Sequence, residues 1–199
     1  MAHIQLTRKS KETNIGLTLD VDGQGQVQVH TGLGFFDHFL TALGYYAGWD
    51  LELTVQGDLE VDGHHVVEDT GLALGKALQE GLTGQRRRFG QSLLPMDDAL
   101  VLVALDAGGR PYLAHDVPPT TNAPHAFNGE LAVEFFRALS NAAGWCLHLR
   151  CLAGENGHHL LEALAKGTGL AIRQALEPSL HDQGSSTKGK VQWGWELKP

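Results

Sequence analysis

Several features that would assign a protein to a class are scarce or missing here. No apolar run approaches the roughly 18 residues of a membrane-spanning helix. The opening Met1-Ala2-His3-Ile4-Gln5-Leu6 lacks the basic start and long apolar core of a secretory signal, so a cytoplasmic location is expected. Basic residues are outnumbered by acidic ones, 15 to 23, for a formal net charge of −8. That excludes the basic footprint which nonspecific nucleic-acid binding requires, though a small anion can still be held locally. Cysteine is limited to Cys146 and Cys151, five apart in a β-like run, with no zinc-finger spacing. Free, buried thiols in a reducing compartment are expected. An apolar share of 42% and a charged share of 19% describe an ordinary globule, so chemistry must come from particular residues.

Those residues are histidines, and their pattern is written twice. Asp62-Gly63-His64-His65-Val66-Val67-Glu68 is matched 94 positions later by Gly157-His158-His159-Leu160-Leu161-Glu162. Each copy opens an apolar run with helical period, His64 to Leu82 and His158 to Leu176. On a helix the first His and the Glu share a face, while the second His is rotated by roughly 100°. One motif can therefore serve two metal ions, and imidazole with carboxylate is a donor set for divalent transition ions. The alternative is a pair of surface histidines. A duplicated helix of purely structural purpose has little reason to keep all three positions in both copies.

The repeat divides the chain into two halves, residues 1–88 and 89–178, followed by a polar tail, residues 179–199. The first half reads as strands at 3–8, 14–21 and 26–30, a helix at 35–47, a strand at 49–55 with a short return at 57–61, and the first motif helix. Residues 85–90, with Arg86-Arg87-Arg88, read as a hinge. The second half reads as a strand at 99–106, the turn Gly108-Gly109-Arg110-Pro111, a strand at 112–116, a Pro-containing loop at 117–128, a helix at 129–144, a strand at 146–152 and the second motif helix, ending near Glu177-Pro178. The Gly- and Ser-rich tail is either mobile or ordered by a bound partner.

Taken in order, Lys11-Glu12-Thr13, Phe36-Asp37-His38, the two motifs, Gly109-Arg110-Pro111 and Ser186-Thr187-Lys188-Gly189 resemble the imidazoleglycerol-phosphate dehydratase family over essentially the whole chain. The pieces are weak singly; their order and spacing make the combined resemblance specific. It implies an α+β fold of two similar halves, each a four-stranded sheet, with the helices packed between the sheets. It implies conversion of D-erythro-imidazoleglycerol phosphate to imidazoleacetol phosphate in histidine biosynthesis, two Mn²⁺ per active site, and a homo-oligomer of 24 subunits with metal sites where subunits meet. By position, His38, His64, His65, Glu68, His158, His159 and Glu162 are implied metal ligands. Arg88, Arg110, Lys166, Ser186 and Lys188 are the implied phosphate set, and Glu12 the implied proton-transfer carboxylate, with the tail closing on the active site.

The reaction accounts for the metals. The hydrogen removed sits on a carbon with no adjacent carbonyl to acidify it, so a base alone is slow. Binding of the substrate imidazole and a diol oxygen to Mn²⁺ would assist, with Glu12 moving the proton.

Two positions depart from the family pattern. Ala42 stands where the family has a glutamine thought to touch substrate. Glu134 stands where it has a histidine mirroring His38, and reads equally as a carboxylate ligand or as an i,i+3 partner of Arg137. These departures keep open a different class of function, a metal-binding oligomeric scaffold with weakened turnover. A dinuclear hydrolase fits less well, because no hydrolase motif is present.

Overall fold

Alternation of apolar and polar residues at the two-residue period of a strand builds the first sheet. In the computed structural model, which describes residues 3–81, 85–119 and 127–179, β1 (His3–Lys9) and β2 (Thr13–Asp20) form a hairpin. Then come β3 (Val27–His30), α1 (Gly34–Ala47), β4 (Asp50–Gly57) and α2 (His64–Gly81). Ile15, Leu17 and Leu19 of β2 and Leu51, Leu53 and Val55 of β4 are buried on one face, while Glu52, Thr54 and Gln56 face out. The strand order is β1-β2-β4-β3, with β3 parallel to β4 and reached through the α1 crossover.

The second half repeats this plan. β5 (Phe89–Met96), β6 (Ala99–Asp106), β7 (Tyr112–His115), α3 (Gly129–Ala143), β8 (Cys146–Ala153) and α4 (Gly157–Leu176) give a sheet ordered β5-β6-β8-β7, with β7 parallel to β8. The fold is thus α+β in two four-stranded halves, as the resemblance implied. α1 and α2 lie on the first sheet and α3 and α4 on the second. Between the layers the helices pair across the halves, α1 with α4 and α2 with α3. Phe36, Phe39, Phe127, Phe135 and Phe136 fill the junction, all essentially inaccessible, with Phe36 edge-on to Phe135 at 5.6 Å. Burying each such ring contributes about 1.5–3 kcal/mol.

Glycines set how closely the paired helices approach. A Cβ on Gly75 of α2 would lie 2.7 Å from the Leu139 carbonyl and 2.9 Å from the Ala143 nitrogen of α3. A Cβ on Gly169 of α4 would lie 2.5 Å from the Leu43 carbonyl and 2.9 Å from the Ala47 nitrogen of α1. The two contacts are mirror images, so both helix pairs cross in the same register.

The structure corrects four readings. Residues 57–61 are not a strand: β4 runs to Gly57 and the chain turns, with Val61 N–H donating to the Asp58 carbonyl at 2.8 Å. Residues 85–90 are no hinge, because Arg87 and Arg88 N–H donate to the Glu177 and Ala175 carbonyls at 2.8 and 2.9 Å, clasping this segment to the end of α4. Phe89–Met96 is an edge strand that residue periodicity missed. Its outward Phe89 and Leu93 are apolar and more than half exposed, which erases the alternation that marks a half-buried strand. The cysteines are free but only half-buried, and burial pushes the Cys151 thiol up to about 12.

Candidate metal centre

Helix starts deliver the histidine pairs. Asn156 caps α4 by accepting from His158 and His159 N–H at 2.9 and 3.3 Å. Asp62 accepts from His64 N–H at 2.7 Å ahead of α2. Asp37 in the first turn of α1 accepts from Thr31 N–H at 2.8 Å and so fixes the loop entering that helix beside His38.

Helix pairing then gathers ligands that are far apart in sequence. His38 of α1 meets His158 and Glu162 of α4, and one donor atom from each lies within 4.8 Å of the others. Glu162 Oε2 sits 3.1 Å from His158 Nε2 and 3.2 Å from His38 Nε2, and Oε1 sits 2.9 Å from Lys166 Nζ. Phe35 packs on His158 at 4.9 Å between ring centroids and forms an apolar wall. Burial by itself would raise the Glu162 pKa, but the hydrogen bonds from Lys166 and His38 prevail and hold it near 2. Glu162 is therefore a buried anion beneath two half-exposed imidazoles. Two imidazoles and a carboxylate so placed fit a divalent transition ion.

On the opposite helix pair the counterpart is more open. His64 Nε2 and Glu68 Oε2 of α2 stand 3.6 Å apart, and His64 lines a cavity of about 830 Å³ whose far wall includes Glu134 and Arg137 of α3. Glu134 Oε1 lies 3.3 Å from Arg137 Nε. Among the described residues only the His38 group has three donors within reach of one ion.

The second histidine of each motif points away, toward carboxylates on neighbouring turns. His65 Nδ1 is 3.0 Å from Asp58 Oδ2, and its Nε2 is 3.9 Å from Glu12 Oε1. His159 Nδ1 is 2.6 Å from Asp98 Oδ1, and its Nε2 is 3.5 Å from Asp97 Oδ2. The hydrogen bond to Asp58 raises the pKa of His65, and that to Asp98 raises the pKa of His159. Asp98 is held well below the ordinary carboxylate range by the Asn156 N–H, then by His159. A carboxylate on Nδ1 fixes the ring and leaves Nε2 as the outward ligand atom, the usual support of a metal-binding imidazole. Sequence reasoning missed Asp58 and Asp98. Asp58 lies seven residues before His65, in the turn after β4, and Asp98 arrives from the β5–β6 hairpin, so they are not repeated at the spacing of the motifs.

Glu12 is itself positioned by a network. Ser10 Oγ accepts from Glu12 and Thr13 N–H at 3.1 and 3.0 Å, and Thr13 Oγ1 and Arg8 both donate to the buried Asp69 carboxylate of α2.

Comparison with known proteins decides the family. The family model for imidazoleglycerol-phosphate dehydratase matches residues 31–172. The chain belongs to the imidazoleglycerol-phosphate dehydratase family. It is 50% identical over 193 residues to the enzyme of that name from Desulfitobacterium hafniense, covering 95% of this chain and 98% of that protein. It is 47% identical to the one from Dinoroseobacter shibae, covering 96% of this chain and all of that protein. Among solved structures, the IGPD of Pyrococcus furiosus superimposes with a TM-score of 0.81 at 38% identity, over 94% of this chain and 100% of that one. The Staphylococcus aureus imidazoleglycerol-phosphate dehydratase gives 0.77 at 32%, over 88% and 99%.

Within this member of the dehydratase family, Lys166 and Arg88 of the implied phosphate set stand at opposite ends of β5 rather than in one cluster. Lys166 is beside the triad, paired with Glu162 and 5.7 Å from the Tyr46 ring centroid. Arg88, held at φ 77°, gives Nη2 to Asp106 Oδ2 at 2.8 Å and covers the Phe89 ring at 4.8 Å. Arg110 is exposed on the β6–β7 turn. Ser186 and Lys188, like residues 180–199 of the tail implied to close on the site, lie outside the described residues. Ala42 is buried on α1 and offers no hydrogen bond in place of an amide.

Proposed function

We propose that this chain is a metal-dependent imidazoleglycerol-phosphate dehydratase that removes water from D-erythro-imidazoleglycerol phosphate to give imidazoleacetol phosphate in histidine biosynthesis. Two Mn²⁺ ions serve each active site, and the enzyme works as a cytoplasmic homo-oligomer of 24 subunits. The observation that carries the reading is the His38, His158 and Glu162 triad beside Lys166, in a chain that matches relatives of this name over nearly its full length. His64 and Glu68 serve the second centre. His65 and His159, turned outward, complete centres on neighbouring subunits.

When bound, the ions supply Lewis-acid help, lowering the pKa of the substrate imidazole and polarising the adjacent hydroxyl. The chain's own groups do the rest. Lys166 offers the phosphate a cation beside Glu162, and Arg88, Arg110, Ser186 and Lys188 complete the anion site where subunits of the assembly meet. Glu12, half-exposed beside His65 Nε2, takes the proton from carbon and passes it to the departing hydroxyl, so that water leaves and the enol formed rearranges to the ketone. Proton and hydroxide leave together, so the step needs no redox partner.

Assembly is supported by an outer face of the second sheet that carries Phe89, Leu93, Leu102 and Leu152, from 37% to 62% exposed, where the first sheet presents Glu52, Thr54 and Gln56. The deciding experiment is to strip the protein, reload Mn²⁺ and assay imidazoleglycerol phosphate for the ketone product, with metal-free protein and Glu12→Gln beside it. Metal-dependent turnover that falls by orders of magnitude in Glu12→Gln is expected. Turnover within a few-fold in that variant removes Glu12 from the proton transfer. No turnover from folded, metal-loaded protein leaves the scaffold reading.

A further inference from the structure

The mirrored helix crossings identify which residue of α3 stands where His38 stands on α1. Gly169 rests on Leu43 and Ala47, and Gly75 rests on Leu139 and Ala143. Both helices end at left-handed glycines, Gly48 and Gly144, each followed by a buried Trp. Counting back from either landmark, the position equivalent to His38 is Glu134. The cavity between α2 and α3 bears this out, since Glu134 lines it together with His64.

We propose that Glu134 is a metal ligand of the second centre and that it makes the two centres of this chain chemically unequal. The inference rests on the two-metal reading above. Within the chain, the α1/α4 centre offers two imidazoles and one carboxylate, and the α2/α3 centre offers one imidazole, from His64, and two carboxylates, from Glu68 and Glu134. Imidazole favours Zn²⁺ and Co²⁺ strongly over Mn²⁺, whereas carboxylate oxygens suit the harder Mn²⁺ and Mg²⁺ and discriminate less. The added negative charge also offsets a divalent ion more fully than a neutral imidazole does. Arg137 does not oppose this. Its contact with Glu134 is a half-exposed i,i+3 pair at 3.3 Å, of the weak surface kind that a divalent cation outcompetes. The cavity leaves room for Glu134 to swing toward His64 when an ion is present. The centres therefore sort metals: Zn²⁺ prefers α1/α4, and Mn²⁺ is retained at α2/α3.

The test is site-resolved. The full-length protein is stripped, given one equivalent of Zn²⁺ per chain with Mn²⁺ in excess, and crystallised, and the occupancy of each centre is read from anomalous scattering at the two absorption edges. Zn²⁺ is expected several-fold enriched at α1/α4, with Mn²⁺ at α2/α3. Glu134→His is expected to abolish that difference, and Glu134→Gln to lower Mn²⁺ at α2/α3 several-fold with α1/α4 unchanged. Equal Zn²⁺ at both centres of the unaltered protein, or a difference that persists in Glu134→His, overturns the proposal. Metal at α1/α4 alone overturns it while leaving the first centre standing. Metal at neither centre overturns the two-metal reading as well.

Discussion

Replacing Gly75 by Ala tests the α2/α3 crossing on which the proposed second centre depends. The new methyl would lie 2.7 Å from the Leu139 carbonyl oxygen, 2.7 Å from the Ala142 Cβ and 2.9 Å from the Ala143 nitrogen. Two of these are backbone atoms, so no rotamer change relieves the overlap and α3 must move as a unit. Ala in place of Gly gains about 1 kcal/mol of helix propensity. Overpacking a filled contact costs about 1–3 kcal/mol, with the upper half expected against rigid backbone. The net is a loss of about 1–2 kcal/mol, or a Tm lower by about 2–8 °C for a chain of this size. Circular dichroism melts at fixed protein concentration measure it, since the proposed assembly would make Tm concentration-dependent. Gly34→Ala is the control: a Cβ there meets nothing within 4 Å, so propensity acts alone and the variant should match or exceed the parent. Gly169→Ala, the mirror of Gly75→Ala, should lose stability with the same sign. A Gly75→Ala protein as stable as the parent would refute the reasoning, and a loss at Gly75 without one at Gly169 would refute the mirrored register.

Further outcomes follow from other contacts. Asp69→Ala strips the buried acceptor shared by Arg8 and Thr13 and should cost about 1–3 kcal/mol; a double-mutant cycle with Arg8→Met that shows no coupling would sink that account. The hydrogen bond from Arg86, at 2.9 Å, lowers the pKa of Asp22 below 3.8 despite partial desolvation. A depressed carboxylate stabilises above its unfolded pKa and loses that contribution as pH falls through the folded value, so the pair should matter at pH 6 and fade below about pH 3.8. Because Asp22 is 42% exposed, screening limits it to about 0.5 kcal/mol, read as a smaller acid-induced Tm drop in Asp22→Asn. With its pKa near 12, Cys151 stays a thiol at pH 8, and mass spectrometry should find it slow to alkylate with iodoacetamide until the protein is unfolded.

The sequence by itself determined which residues within each motif share a helix face. His-His-x-x-Glu is a local pattern, and helical geometry alone puts His158 with Glu162 and His64 with Glu68 while turning His65 and His159 elsewhere. Duplication made the two halves legible for the same reason, since each repeats strand and helix periods that need no distant partner to be read. β5 escaped because its outward face is apolar, and periodicity cannot separate residues facing a core from residues facing an outer surface. Only the tertiary structure decided that His38 joins the second motif rather than the first. That choice is made where Gly169 lets α4 approach the backbone of α1 at Leu43 and Ala47, far away along the chain. The same crossing, repeated by Gly75, puts Glu134 opposite His64. Packing within each half likewise decided which carboxylates orient the outer histidines. Asp58 and Asp98 reach their partners from unrelated turns, and such convergence leaves no spacing in a sequence to find.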